Sequence, residues 1–420
     1  MGSGNHRSIR FPVSGVRPDF EGCYGACSSS ARPGRIENDS PVGHLPETEN
    51  SPGGTPVLKN TRRRATILGL TAVAGLTLSA CSETGSTGES QVEGLTETTG
   101  ELQGEGATSQ QRAMDLFATL FESNSPGSTL SYNATGSGSG QSQFIANTVA
   151  FAGSDSPLKD EQIADAAERC GGNDAWHLPM VIGPVAIAYN LEGVDVSLTP
   201  ALTAQIFDGK ITKWNDPAIA EVNEGVELPD TDISVVYRSE ESGTTDNFMK
   251  FLTSAAPEDW EHEASKSFPT ANGQGANGSA GVVDQVAQVP GAITYVEAGF
   301  AKDKDLGIAK MDFGNGPVEL NADTVGTALD QVEFSGDGND MVVDSEALFA
   351  MDAEGAYPLV LTTYEIVCSA GYDETTRDLV KNFFKIVLEE GQSQELEDLG
   401  YIPVQGEFKQ KLVDAVDAIQ

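Results

Sequence analysis

Short apolar runs that favour β-strands alternate with amphipathic helical patterns from about residue 101 to the end of the chain. The runs STLSYNA, VIGPVAIAYN, DISVVYR and GAITYVE are rich in Val, Ile, Thr and Tyr, residues that pack well on a pleated sheet. In the stretches between them, apolar residues recur at intervals of three and four, the period of one helix face. This alternation is typical of an α/β fold.

Three of the predicted helices begin directly after stretches of small and hydroxyl-bearing residues. The first begins at Thr108, where Gln111 completes the spacing of a capping box. The second begins near residues 137–139 within NATGSGSGQSQF, and the third begins in SGTT, after a strand that ends at Arg238. Each start places hydroxyls and unpaired backbone N–H groups at the positive end of a helix, where anions bind.

The three helix starts together indicate one anion site built from several loops. Arg238 is a candidate bidentate ligand for an oxyanion, and residues 272–286, NGQGANGSAGVVDQV, have the composition to close the site from another side. Each start alone is also explained as an ordinary helix cap. Asp155, in GSDSPL, is explained in the same way as the cap of a helix that Ser156 and Pro157 begin.

The first quarter of the chain differs in composition. Residues 1–60 are rich in Gly, Pro and Ser without periodicity, which predicts a disordered leader. Residues 61–80 carry three arginines and an apolar run too short to cross a bilayer core of about 30 Å, which indicates a secretory signal peptide. Because a signal peptide rarely follows so long a polar segment, the alternative is a misassigned gene start, with Val57 as the initiator. Residues 81–103 are expected to form a flexible tether.

Charge and side-chain inventory exclude several classes of function. The net charge of −38 repels nucleic acids, so no nucleic-acid partner is expected. GSGSGQ departs from the dinucleotide-binding pattern G-x-G-x-x-G at Gln141, and GSGSG is not the hydrolase pattern G-x-S-x-G. Only His177 and His262 follow the signal segment, without the spacing of metal ligands. We therefore expect neither an enzyme nor a bound metal or cofactor.

The cysteines divide into two groups. Cys23 and Cys27 precede the signal segment, and Cys81 ends the sequence LSAC, which resembles a bacterial lipobox and implies lipidation of Cys81. Cys170 and Cys368 are left as the candidates for a disulfide in an oxidising compartment, with two reduced buried thiols as the alternative.

Five motifs resemble, in order, the periplasmic-type phosphate-binding protein of the high-affinity phosphate ABC transporter. They are GATS, ATGSGSGQSQFIANTVAFAGSDSPL, KITKWNDPAI, YRSEESGTT and PGAITYVE, and the resemblance runs from about residue 104 to about residue 405. It implies the two-lobed α/β fold of a type II periplasmic binding protein, with a hinge and the ligand between the lobes. Lobe I would be residues 104–188 with 357–420, so that Cys170 and Cys368 share it, and lobe II would be residues 189–356.

The resemblance also implies which residues contact phosphate. Glu240 stands where relatives often have an Asp that orients the arginine. Ser109 replaces the usual aromatic residue, and GSGSG rearranges the serine and glycine order after Ser137, but both changes keep the backbone donors. The implied phosphate-binding residues are Thr108, Ser109, Ser137, Asp155, Arg238, Ser242, Gly243 and Thr244.

In this setting Asp155 becomes a filter rather than a cap. A carboxylate repels an anion unless the anion brings a proton, as HPO4²⁻ and H2PO4⁻ do and sulfate at neutral pH does not. Sulfate would leave the carboxylate buried and unpaired, a loss that can exceed about 10⁴-fold in affinity.

The function implied is that of a monomeric extracytoplasmic lipoprotein, anchored to the bacterial cell membrane through Cys81. It would bind inorganic phosphate and deliver it to the permease subunits of the transporter. A phosphate-sensing surface protein that uses the same pocket without transport is the alternative. Trp214, in KITKWNDP, is expected to be a packed core residue.

Overall fold

The computed structural model describes residues 92–269, 272–336, 338–351 and 353–420. The predicted leader, the signal peptide of residues 61–80 and Cys81 lie outside these residues. Within the described part of the chain, none of the helices has the length and apolar character that crossing a membrane requires.

Twelve strands and thirteen α-helices alternate along the described residues, which confirms the predicted α/β class. The strands are β1 Glu101–Gly106, β2 Thr129–Ala134, β3 Phe151–Ser154, β4 Ala175–Tyr189, β5 Ser197–Leu198, β6 Ser234–Arg238, β7 Gln274–Ala276, β8 Ala292–Glu297, β9 Gly307–Ile308, β10 Lys310–Asp312, β11 Pro317–Val318 and β12 Val360–Cys368. The helices are α1 Gln111–Asn124, α2 Ser137–Ile145, α3 Asp160–Arg169, α4 Pro200–Phe207, α5 Pro217–Glu221, α6 Gly243–Ala255, α7 Gly278–Gln288, α8 Ala298–Lys302, α9 Ala322–Leu329, α10 Ser345–Phe349, α11 Glu374–Ile386, α12 Gln394–Asp398 and α13 Gly406–Ala418, and a π-helical turn, Val387–Gly391, follows α11.

The long strand β4 connects two groups of strands in the main sheet. The strand order is β2-β1-β3-β12-β4-β8-β6-β7, and β9 pairs with β4. The first ten residues of β4, up to Pro184, pair antiparallel with β12, and the last five, from Val185, pair antiparallel with β8. A second, small sheet has the order β11-β10-β5. The ends of β1, β3, β6 and β8 are thereby placed around the middle of the long strand pair.

The predicted apolar faces lie in the core. Met114, Phe117 and Phe121 of α1 are buried, and Phe248 of α6 stacks on Tyr295 of β8 with ring centroids 4.4 Å apart. Trp214 is fully buried and its indole N–H donates to the carbonyl of Gly291 at 2.9 Å, as expected for a core residue.

Two helix starts differ from their prediction. Helix α1 begins at Gln111, three residues after Thr108, and the Thr108 side chain does not cap it. Helix α3 begins at Asp160 and not at Ser156, so Asp155 is no helix cap. The other two starts agree: α2 begins at Ser137, and Ser242 caps α6 by accepting from the backbone N–H of Thr245 at 3.2 Å. Thr108 and Asp155, which were predicted as caps, are instead buried in the protein interior.

The segment expected to be the end of a flexible tether is packed against the body. Val92 is buried, and the backbone N–H of Thr96 donates to the side chain of Asn382 on α11 at 2.9 Å. The Asn382 amide donates back to the Thr96 carbonyl at 3.1 Å, and β1 begins at Glu101. The predicted tether boundary at residue 103 is therefore too late, since residues 92–103 belong to the folded body.

Cys170 and Cys368 are joined by a disulfide between the end of α3 and the end of β12. The neighbouring guanidinium of Arg169 lies 4.3 Å from the ring centroid of Phe144 and 5.0 Å from that of Tyr372. The bridge thus fixes a helix of the early segment to a strand that lies 198 residues later.

Candidate functional site

The residues named from the sequence converge where β1, β3 and β6 end. Thr108 and Ser109 follow β1, Asp155 follows β3, and Arg238 is the last residue of β6. Ser137 opens α2, while Ser242 to Thr244 form the cap and first residues of α6. All are buried, although most carry polar side chains. A buried set of polar side chains at helix starts is characteristic of a binding site rather than of a core.

Asp155 is held by three hydroxyl groups. Its carboxylate accepts from Ser109 Oγ at 2.6 Å, from Thr363 Oγ1 at 2.8 Å and from Ser137 Oγ at 3.3 Å. Burial, and then the nearby charge of Glu297, raise the pKa of Asp155 to about 6. The hydroxyl donors and the Arg238 charge oppose this rise only in part. The carboxyl therefore sits in a place where its charge is only partly compensated.

Arg238 is the cation of the site and is only 2% exposed. Its Nη1 donates to Thr244 Oγ1 at 3.1 Å and to Ser279 Oγ at 3.2 Å, and its Nη2 donates to Thr108 Oγ1. Glu240 accepts from Nε of Arg238 at 2.7 Å and from the backbone N–H of Gly278 at 3.1 Å. Glu240 thus fixes the plane of the Arg238 guanidinium.

Glycines allow the starts of α2 and α6 to touch. A Cβ on Gly243 would lie 2.4 Å from Ser137 Oγ and 2.5 Å from Asp155 Cβ. A Cβ on Gly138 would lie 2.3 Å from the Glu241 carboxylate, and its N–H donates to the Glu241 carbonyl at 3.1 Å. Only residues without a side chain permit this approach, which brings two helix N-termini to one point.

Three further side chains belong to this cluster, and sequence reasoning did not name them. Ser279 lies in the stretch 272–286 that the sequence singled out by composition, and its N–H donates to Thr108 Oγ1 at 3.2 Å. Thr363 lies in β12, where the apolar pattern gave no sign of a polar role. Glu297 ends the motif PGAITYVE and accepts from Thr244 Oγ1 at 2.8 Å. Ser279 therefore carried a signal in its local composition, and Glu297 lay within a recognised motif that gave it no role of its own.

The arrangement combines donors with one acceptor. Donors for an oxyanion come from the hydroxyls of Thr108, Ser137, Thr244 and Ser279, from the Arg238 guanidinium and from the N-termini of α2, α6 and α7. Asp155 supplies the acceptor. Among the described residues, no group of three or more His, Cys, Asp or Glu side chains has the geometry of a metal site.

The comparisons with known proteins agree on one family. A family model described as the PBP superfamily domain matches residues 91–390. The phosphate-binding protein PstS 3 of Mycobacterium tuberculosis is 42% identical over 367 residues, which cover 84% of this chain and 97% of that protein. PstS 2 of the same organism is 41% identical, with 85% and 99% covered.

Solved structures show the same fold. The high-affinity periplasmic phosphate-binding protein PfluDING, bound with phosphate, matches with a TM-score of 0.61 at 23% identity, covering 74% of this chain and 93% of that one. The phosphate-binding protein of Stenotrophomonas maltophilia matches with a TM-score of 0.57 at 22% identity, covering 75% and 94%. These matches confirm the predicted fold of a periplasmic binding protein.

The relatives are binding proteins, which agrees with the prediction that the chain is not an enzyme and excludes the dehydrogenase and hydrolase alternatives. At this identity and coverage, the chain belongs to the PstS family of phosphate-binding proteins.

Proposed function

We propose that this chain binds inorganic phosphate outside the cytoplasm and delivers it to the permease subunits of a phosphate ABC transporter. The observation that carries the proposal is the buried convergence of Arg238, Asp155 and three helix N-termini at one point. Relatives that are more than 40% identical are named as phosphate-binding proteins, which supports the same ligand.

The phosphate contacts follow from the donors and acceptors present. Arg238 would donate both Nη groups to phosphate oxygens, at the expense of its present bonds to neighbouring hydroxyls. The remaining contacts would come from the hydroxyls and backbone N–H groups of Thr108, Ser109, Ser137, Ser242, Gly243 and Thr244, and Asp155 would accept from the protonated phosphate oxygen. Ser279 joins this set, because its Oγ lies 3.2 Å from Arg238 Nη1.

Selectivity against sulfate is proposed to rest on Asp155. The carboxyl is buried, and the guanidinium of Arg238, whose charge acts on it, is already paired with Glu240. A fully ionised anion such as sulfate would be repelled by this carboxylate. Monohydrogen phosphate would instead donate a hydrogen bond to the carboxylate through its own proton. The hydroxyls of Ser109 and Thr363 would hold the Asp155 carboxylate in the orientation in which it can accept a hydrogen bond from the protonated phosphate oxygen.

Two lobes are proposed to close on the ligand, residues 104–188 with 357–420 and residues 189–356. Several contacts would join them in the closed state: Lys266 Nζ donates to Gln141 Oε1 at 2.5 Å, and Ser156 Oγ donates to Asp246 Oδ2 at 2.7 Å. The donors for phosphate are divided between the two proposed lobes, so the ligand itself would favour closure.

Membrane anchoring is proposed to occur through a lipid on Cys81, after removal of the signal peptide of residues 61–80. The tether between Cys81 and the packed segment would then end before Val92, which is buried against the body. The protein would act as a monomer, since binding needs only the side chains of one chain.

Calorimetric titration of the phosphate-stripped chain from residue 82, first with phosphate and then with sulfate at neutral pH, tests the proposal. We expect tight binding of phosphate and no heat from sulfate. Absence of phosphate binding would overturn the function, whereas equal binding of the two anions would overturn only the role of Asp155. Loss of phosphate uptake on deletion of the gene would distinguish transport from the alternative, phosphate sensing without transport.

A further inference from the structure

Glu297 is a buried carboxyl at the edge of the proposed phosphate site to which the sequence assigns no role. It is the last residue of β8 and is 1% exposed. Its Oε1 accepts from Thr244 Oγ1 at 2.8 Å. Its Oε2 is also buried and has no hydrogen-bond partner within the described part of the chain. A buried carboxyl that depends on a single neutral donor is poorly compensated.

The one donor of Glu297 is a residue that phosphate would also need. Thr244 has a single hydroxyl proton, and its oxygen already accepts from Arg238 Nη1 at 3.1 Å. The proton points to Glu297 in this structure and would have to turn to a phosphate oxygen on binding. If Glu297 stayed ionised, both of its oxygens would then be buried without a donor, next to a newly bound anion.

The other groups that face Glu297 do not supply the missing hydrogen-bond donor or positive charge. The hydroxyl of Tyr401, packed beside it, donates to the Ser109 carbonyl at 2.6 Å. Asp155 is a second carboxyl in the same interior, and the charge of Glu297 contributes to its raised pKa. Arg238 is shared with Glu240, and Arg112, on the side of Tyr401, is paired with Asp303 at 3.0 Å. No described cation is left over for Glu297.

We propose that Glu297 takes up one proton when phosphate binds. The proton comes from a buffer acid in solution, which is left as its conjugate base, and it forms an O–H bond at Oε1. The neutral carboxyl then donates to Thr244 Oγ1, and the Thr244 hydroxyl donates to phosphate. This inference rests on the proposed function, and it makes phosphate binding proton-coupled at a residue other than Asp155.

The proposal predicts a direction of pH dependence. A complex that holds one more proton than its free components loses affinity as pH rises, by tenfold per pH unit for one full proton. Above about pH 8, Asp155, with its pKa near 6, is ionised in the free protein and does not contribute. We therefore expect phosphate affinity to fall about tenfold between pH 8 and pH 9.

The test is calorimetry of phosphate binding at pH 8 in two buffers of different ionisation enthalpy, which gives the number of protons taken up. We expect about one proton for the unchanged chain and close to none for Glu297→Gln, whose amide donates to Thr244 without a proton from solution. Glu319→Gln serves as a control, since this carboxyl is exposed and pairs with Lys310 at the surface. It should take up the same number as the unchanged chain.

The outcomes separate the inference from the proposed function. Tight phosphate binding without proton uptake would overturn the role of Glu297 and leave the function intact, as would equal uptake by Glu297→Gln. No phosphate binding at all would overturn both. Infrared difference spectra of the unchanged chain provide a check that needs no variant, because a protonated-carboxyl C=O band must appear on adding phosphate, and its absence would refute the proposal.

Discussion

Two carboxyl groups of the site are buried without full compensation of their charge or hydrogen-bonding capacity. Asp155 is buried with a pKa of about 6, and Glu297 has an oxygen without a partner. In the free protein these groups destabilise the fold, since burial disfavours the charged carboxylate. A phosphate that brings a proton to Asp155 turns the same carboxyl into a ligand contact.

Comparison with the variant Asp155→Asn should show that burial of this carboxyl makes the free energy of unfolding depend on pH. The folded pKa of about 6 lies above the ordinary value of 3.8, so the folded state holds the proton more tightly. The contribution of Asp155 is therefore most favourable at low pH and is lost as pH rises through 6. Relative to Asp155→Asn, the free energy of unfolding of the unchanged chain should fall by up to about 3 kcal/mol between pH 4 and pH 7.5.

Denaturant unfolding of both chains without phosphate, at several pH values, measures that difference. Asp165→Asn, on the exposed side of α3, is the matched control and should show a flat difference. A flat difference for Asp155→Asn as well would mean that the carboxyl is solvated in the free protein.

At the scale of elements, local sequence patterns predicted where helices lie, but they assigned some side chains of the site to helix capping. The starts of α2 and α6 were predictable because small residues precede a clear apolar period. Thr108 has the spacing of a cap, yet its hydroxyl contacts Arg238, so α1 begins later. Thr363 was not predictable, because it reaches Asp155 only through the antiparallel pairing of β12 with β3, more than 200 residues apart.

The contact between the starts of α2 and α6 predicts a strong effect for Gly243→Ala. The new methyl would overlap Ser137 Oγ and Asp155 Cβ in the closed arrangement. Overpacking of this kind costs about 1–3 kcal/mol, so phosphate affinity should fall by between about fivefold and about 150-fold. Titration calorimetry measures the change. Gly326→Ala in α9, where a Cβ meets no atom within 4 Å, should leave affinity as it is, and an equal loss in both variants would argue against the contact.

At the scale of the whole molecule, the topology brings the end of the chain back to its beginning. Strand β12 lies between β3 and β4, and α11 packs against the segment that precedes β1. The motifs could imply this return only through the family they resemble, since no local pattern records which strands are neighbours. The packed segment of residues 92–103 was missed for the same reason: its polar composition suits a tether. It belongs to the body through the contacts of Thr96 and Thr98 with α11 and through the pairing of residues 101–103 with β2.

The disulfide between Cys170 and Cys368 secures one of these returns, and its removal should lower the free energy of unfolding without changing the phosphate site. It closes a loop of 198 residues, and the loss of such a constraint on the unfolded chain costs about 2–5 kcal/mol. Cys368 is five residues beyond Thr363 on β12, about 16 Å along the strand, so phosphate affinity should stay the same. Denaturant unfolding and phosphate titration of the double variant Cys170→Ser, Cys368→Ser measure both quantities, and the unchanged chain under reducing conditions should behave alike. If affinity fell together with stability, the bridge would be needed to hold β12 and Thr363 in place against Asp155.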